Sequence, residues 1–492
     1  MRLKARPLKI NAQGHLVCML NSEEADQLQI RNADRVMLTK GKKQVTAVVD
    51  VINTHHFLKQ GQVGLMEELA DELSVKRGEI IDVELAEEPF SVEYVRKKLS
   101  GTALDDVEMH SIISDAAKGT LSEEELSVFI TACQVHSLSI SEILDIINSL
   151  SGDIEPLIFN QHPVVDIRVL GDPSGILKHA ISAVVSAAGI ATVVGLESPG
   201  SSPSSSSEVF RIFSASPSSL NTANTSISKV NSVYIDQEDS AIPVALRRLK
   251  YCEAPLSLYP KDLLVATLFS LVRSLKSSHL YTCVLYGDGT PLRDVHSAKS
   301  LVRVMDKVSR KLRIKSDSAI FDCNEIFTGN SGPYAEAKSL LNLLSEDPLF
   351  TDLRMKLIQI SGDIIDMVKG SRGSKTAKEV IDSGHALDHL VRIMKYHDAH
   401  ITRKKFALKG TYTRNLKSDK DSSIMSFNNS NILKVAKVCG APHDIFAGVE
   451  MHKKIHSVVS KNDVIATLHS KNKRRLKRAI ALLDRFPLVE LS

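Results

Sequence analysis

The chain has 492 residues, 43% hydrophobic and 24% charged, the balance of an ordinary globular protein with room for about two to four domains. Acids nearly match bases, and a formal net charge of +4 gives no bulk attraction to nucleic acid. Six scattered cysteines without a CxxC pair argue against a disulfide frame or zinc knuckle. The longest apolar run, Ala180 to Gly195, falls short of the roughly 20 residues of a membrane helix. The basic start MRLKARPLKI has no apolar run behind it, so a signal peptide is not expected and the expected location is the cytoplasm.

Residues 1–88 alternate in short β-type runs: Leu3–Ile10, Leu16–Leu20, Val36–Leu38, Val45–Val51, Val63–Leu65 and Ile80–Leu85. Lys40-Gly41-Lys42-Lys43 makes a hairpin turn between two of them, and Glu87-Glu88-Pro89 ends the module. From Val92 to about Ile154 the period becomes helical, with Val92, Val95 and Leu99 three and four apart. Ser122 with Glu125, and Ser139 with Glu142, read as capping boxes that open two of these helices.

Asp166 to Phe213 reads as a strand end, a glycine turn, a small-residue helix, a second strand and a serine-rich loop. Turns at the carboxyl ends of neighbouring strands face one crevice, where anions usually sit. Beyond it, Pro217–Lys229 reads as loop, Ile242–Tyr251 and Lys261–Leu275 as helices, and Tyr281–Leu285 as a strand. Ser297–Leu312 reads as a helix, Ala319–Cys323 as a strand, and Tyr334–Leu344, Asp352–Val368 and Thr376–Tyr396 as helices. Strands and helices alternating in this way predict a mainly parallel sheet. From Lys404 the chain looks α+β, with a helix at Ile432–Cys439 and strands near Val449, Val464–Leu468 and Val489.

Six pieces in this order resemble the thymidine phosphorylase family. They are Lys97–Leu104, Pro163–Asp166, Ser186–Gly189, Gly332–Ala337, Ala377–Ala386, and Cys439–Pro442 with Ala447–Glu450. The β module points to the subgroup holding the archaeal AMP phosphorylases. The resemblance implies a multidomain α/β protein with four parts. These are an N-terminal β-rich module (1–88), an all-α lobe (92–155, joined by about 243–277), an α/β lobe with a mainly parallel sheet (161–242 and 278–400), and a C-terminal α+β domain (404–492). It also implies a homodimer or higher oligomer, and phosphorolysis of a pyrimidine nucleoside or nucleoside monophosphate to base and sugar 1-phosphate. No metal or cofactor is implied beyond inorganic phosphate as co-substrate.

Carried over by position, the site departs from the family pattern. The first phosphate turn resembles D-K-H-S-x-G-G, but Arg168 stands at the histidine position, Val169 at the serine and Asp172 at the second glycine. A carboxylate there repels phosphate by on the order of 1–4 kcal/mol at partly wet separations. Lys178 is the nearest counterpart of the later lysine. The Ser/Thr-Gly loop becomes Gly200–Ser207 with Pro203 inside it, and the base helix reads Ala266–Val272, with Leu271 at a lysine position. The expected arginine falls near Cys252 to Ala254, with Arg247 and Arg248 a turn or two away. The groups left to hold phosphate are Arg168, Gly171, Ser204 and Ser206; Thr267 and Ser270 are left for the base, and no catalytic residue is assigned. Phosphorolysis lost or altered is the expectation, with a non-catalytic ligand-binding or scaffolding protein as the alternative.

Two further signals have bland readings. His385 and His389 stand at i, i+4, with His397 and His400 beyond; without an HExxH glutamate they read as a helix face rather than zinc ligands. Lys471–Arg478 is a dense basic run that reads as a solvated helix face, with nucleic-acid phosphates as the less favoured partner.

Overall fold

The computed structural model describes residues 1–12, 16–53, 57–118, 120–151, 156–196, 205–236, 260–345, 347–399 and 411–492. These gather into two compact units, Met1–Leu150 and the described parts of Ser151–Pro243 with Ala254–Ser492. The expected helix Ile242–Tyr251 lies outside the described residues, as do Ser204, Arg247, Arg248 and His400.

In the first unit, six strands close a barrel in the order β1-β5-β2-β4-β3-β6. They are β1 (Arg2–Pro7), β2 (Val17–Asn21), β3 (Arg35–Lys40), β4 (Lys43–Ile52), β5 (Gln62–Leu65) and β6 (Ile80–Leu85). Alternate side chains such as Leu3, Val36, Leu38, Val49, Ile81 and Val83 fill the interior. The hairpin closes with Lys40 opposite Lys43, where the sequence puts its turn. Two six-residue helices, α1 (Ser22–Gln27) and α2 (Glu67–Glu72), escape the sequence reading because neither is long enough to show a period.

Four helices follow: α3 (Ser91–Leu99), α4 (Asp106–Lys118), α5 (Glu123–Val135) and α6 (Ile140–Ser151). Both expected capping boxes form. Glu125 N donates to Ser122 Oγ at 3.2 Å while Ser122 N donates to the Glu125 carboxylate at 2.8 Å, and Ser139 and Glu142 repeat the pattern at 3.2 and 2.8 Å. Glu142 also takes the Lys98 ammonium at 2.7 Å and the Leu104 amide at 3.1 Å, which pins α3 to α6.

The second unit is built on a five-stranded parallel sheet, ordered β11-β10-β7-β8-β9. These strands are β7 (Val164–Leu170), β8 (Ala191–Leu196), β9 (Ser232–Asp236), β10 (His279–Tyr286) and β11 (Lys315–Asp322). Its first helices are α7 (Leu177–Ala187), α8 (Ser206–Ile212), α9 (Ala223–Val230), α10 (Lys261–Ser274) and α11 (Val295–Leu312). α12 (Cys323–Ile326), α13 (Pro333–Leu343), α14 (Thr351–Lys369), α15 (Gly373–Asp382) and α16 (His385–Tyr396) follow. α10, which the resemblance assigns to the helical lobe, falls within this unit.

Two expectations are corrected. The Ser/Asn/Thr-rich stretch around Pro217–Lys229 is largely ordered structure, since α9 occupies its second half and β9 follows. Ser226 Oγ ties the stretch to β9 by donating to Ser232 O at 2.7 Å, next to a hydroxyl cluster in which Ser182, Thr192 and Ser232 lie 2.9–3.0 Å apart. The single helix expected over Thr376–Tyr396 is broken at Gly384, whose φ of +79° ends α15 and starts α16.

The chain ends in two three-stranded sheets, β12-β16-β14 and β15-β13-β17. Their elements are β12 (Tyr412–Lys417), β13 (Ser422–Phe427), α17 (Asn429–Cys439), β14 (Gly448–Met451), β15 (Val458–Val459), β16 (Val464–Ser470), α18 (Lys473–Leu482) and β17 (Val489–Leu491). Cys323 and Phe327 reach into this core beside Ile432, Val449 and Leu468. The backbones cross where Ser331 and Val449 exchange amide bonds of 2.9 and 2.8 Å. A Cβ on Gly332 would sit 2.2 Å from Ala447 O, so only glycine permits that approach.

Candidate phosphate and base site

β7 is the central strand, and its period of two puts Asp166 and Arg168 on one face. Their side chains lock together: Arg168 Nε donates to Asp166 Oδ1 at 2.6 Å and Arg168 NH2 to Oδ2 at 2.9 Å. Both are buried, with Arg168 4% and Asp166 0% exposed. The cation expected to meet phosphate is thus bidentate to an internal carboxylate, the strongest form such a pair takes.

The turn after β7 begins at Gly171, whose φ is +84° and where a Cβ would lie 2.8 Å from Leu285 O. Asp172 follows and folds back on the turn, its Oδ1 accepting Ser174 N at 2.9 Å and Ser174 Oγ at 2.7 Å. Gly175 (φ +66°) then presses against the start of α8, where a Cβ would come 2.7 Å from Ser206 N. The two expected phosphate elements therefore meet, with backbone packed on backbone between them.

At α8 the amide of Ser205 donates to Glu208 Oε2 at 2.7 Å, and Ser206 is wholly buried. Ser206 O receives His179 Nε2 at 3.0 Å, so the imidazole is the neutral tautomer protonated at Nε2. His179 stacks on Tyr234 at 5.4 Å between ring centroids, and His397 meets the same tyrosine edge-on at 5.7 Å. Burial holds His179 down to about 3 and lowers His397 as well. Lys178, in the first turn of α7, is buried and donates to Gly195 O at 3.2 Å.

Three carboxylates stand at the carboxyl ends of adjacent strands: Asp172 after β7, Asp288 after β10 and Asp322 at the end of β11. Asp322 Oδ1 caps Asn324 N at 2.9 Å, and Asp288 Oδ2 takes Ser430 N at 2.9 Å. Their charge is felt nearby. The Cys323 thiol is pushed up by burial first and then by Asp172, Asp322 and Asp288; Cys283 is pushed up by burial and then Asp172. The sequence reads Gly287-Asp288-Gly289 as only a turn after a strand, and gives no signal for Asp322 at the end of β11. Among the described residues no group of three or more His, Cys, Asp or Glu is placed to hold a metal ion.

On the base side, Thr267 Oγ1 donates to Leu264 O at 2.9 Å and Ser270 Oγ to Ala266 O at 2.7 Å. Both hydroxyls turn back onto α10 itself, and Leu271 is buried beside them. Of the i, i+4 pair, His385 is exposed and only His389 is tied into the fold, as is His397 farther on. His389 Nε2 bonds to Val230 O at 2.9 Å, and His397 Nδ1 to Ser216 O at 2.8 Å.

Comparison with known proteins agrees with this architecture. Residues 92–150 match the helical bundle domain of a glycosyl transferase family, and residues 424–486 match the pyrimidine nucleoside phosphorylase C-terminal domain. The chain is 27% identical over 475 residues to AMP phosphorylase 1 of Archaeoglobus fulgidus, covering 96% of this chain and 94% of that protein. It is 26% identical to AMP phosphorylase of Methanocella arvoryzae over 99% of this chain and 97% of the relative. The chain is similar to the AMP phosphorylases along nearly its whole length. Among solved structures, anthranilate phosphoribosyltransferase from Thermus thermophilus superimposes with a TM-score of 0.46 at 14% identity, over 62% of this chain and 99% of that one. No helix among the described residues is long and apolar enough to cross a membrane.

Proposed function

We propose that the protein keeps the AMP/thymidine phosphorylase fold but does not perform phosphorolysis. Its crevice is a binding or scaffolding feature in place of a catalytic one. One observation carries the reading: Asp172 occupies the anion turn and already accepts the amide and hydroxyl of Ser174. A phosphate dianion brought to this turn meets a carboxylate at close range, and Arg168, the nearest expected cation, is spent on Asp166. Phosphorolysis is accelerated chiefly by electrostatic stabilisation of the charge that develops in its transition state, and a turn of reversed sign opposes that stabilisation directly.

The test is phosphate-dependent release of base from AMP, CMP, UMP, thymidine, uridine and cytidine, followed by chromatography. No base above the buffer control is expected. Sugar phosphate formed in step with base from any one of them overturns the proposal.

A further inference from the structure

α18 carries five cations in its first six residues: Lys473, Arg474, Arg475, Lys477 and Arg478. With Lys471 they make six cations in eight residues, in a chain whose total is +4, so the other residues together come to −2. The charge is thus concentrated at one place. All five on the helix are exposed, while Leu476 and Ala479 anchor its other face in the C-terminal core.

Two physical effects oppose this arrangement. Lys473, Arg474 and Arg475 fill the first turn, where the helix dipole is itself positive. Lys473 with Lys477, and Arg474 with Arg478, are like charges one turn apart, and each pair destabilises the helix. A solvated face normally offsets such repulsion with interspersed acids. Here no acid lies in the helix, and none of the five side chains makes an ion pair or hydrogen bond within the described residues. The N-cap is already satisfied by Asn472 Oδ1, which accepts Arg474 N at 2.9 Å and Arg475 N at 3.2 Å, so the cations are not there to cap the helix.

A half-buried phenylalanine stands at the start of the row, and a second lies past the C-terminus of α18. Lys471 Nζ lies 4.6 Å over the Phe446 ring, and Arg485 Cζ lies 5.4 Å over Phe486. Cations in a row with aromatic rings beside it suit a flexible phosphodiester strand with unstacked bases. A duplex groove suits it less, because α18 is seated in its domain along Leu476 and Ala479 and does not project.

We propose that α18 is a docking surface for single-stranded nucleic acid, bound through its phosphates. This site is independent of the β7 crevice and of whether the crevice turns over. Lys471–Arg478, which sequence reasoning left as a solvated face, becomes a working surface once the helix cations are seen to lack internal partners among the described residues.

The experiment is fluorescence anisotropy of the full-length chain with a labelled 20-nucleotide uridine RNA, and its thymidine DNA counterpart, at 50 and 200 mM potassium chloride. With about four phosphates neutralised at a slope of about −0.7 each, affinity should fall roughly 50-fold between the two salts. The quadruple variant Arg474→Glu, Arg475→Glu, Lys477→Glu, Arg478→Glu should weaken binding at least about 100-fold with its melting temperature kept. A second quadruple variant to Gln should fall between, which separates lost charge from lost folding. α11 presents another exposed row, Lys299, Arg303 and Lys307, and reversing those three should leave binding within about threefold. Equal binding by the α18 charge-reversal variant, an equal loss from the α11 variant, or binding to phosphatidylserine vesicles but not to either oligonucleotide would each overturn the proposal.

Discussion

Asp172 and His179 act as single residues, and each makes a prediction that one substitution reads. Asp172→Asn removes the charge while its amide oxygen can still accept from Ser174. Phosphate affinity measured by calorimetry should rise at least about tenfold, or about 1.4 kcal/mol. An unchanged isotherm would sink the electrostatic account of the crevice. His179 is buried neutral, and its folded value of about 3 lies below the ordinary 6.5, so the unfolded chain binds the proton more readily. Its contribution is therefore complete above pH 6.5 and is lost as the pH falls from there toward 3, at up to about 1.4 kcal/mol per pH unit. His179→Gln, which does not titrate, should flatten urea-measured stability between pH 6.5 and 5 by about 2 kcal/mol relative to the parent. Parallel pH profiles for the two proteins would contradict it. The sequence named Arg168 as a cation near the crevice but missed its partner. Asp166 stands two residues earlier, and strand alternation alone places both carboxylate and guanidinium on one face.

At the scale of elements, legibility followed the kind of packing. The six barrel strands were readable because each buries alternate apolar residues, a pattern visible in one dimension. α9 was not, because its stretch is rich in Ser, Asn and Thr, which signals loop until Ser226 reaches Ser232 across the fold, and α8 and β9 are too short to show a period. The α14–α15 contact is another hidden feature. Gly370 to Gly373 joins the two helices, and a Cβ on Gly373 would lie 1.9 Å from Gly362 O, while one on Gly362 would lie 2.7 Å from Ser374 N. The two helices meet backbone to backbone. Gly362→Ala, otherwise a helix-favouring change, should destabilise the second unit by about 1–3 kcal/mol through overpacking. A melting temperature raised by this substitution would show that the helices do not approach as described.

For the whole molecule, the order of parts was legible because each part has its own period, while the ties between parts were not. The C-terminal core borrows Cys323 and Phe327 from the end of β11 and beyond, and the Ser331–Val449 exchange stitches the two regions together. A chain ending at residue 411 should therefore lose more than its last sheets. It should bind a hydrophobic dye and aggregate, and co-expression with residues 411–492 should return it to the soluble fraction. A soluble, dye-silent truncation would refute the shared core. The same crossing sets a clock on synthesis. Asn330 Oδ1 waits for the amide of Met451, 2.6 Å away in the finished fold but 121 residues later in the chain. At ribosomal speeds of about 5–20 residues per second, that is roughly 6–24 s during which Phe327 has no partner to cover it. The nascent protein is most in need of a chaperone in that interval, which opens just after its last parallel strand is made.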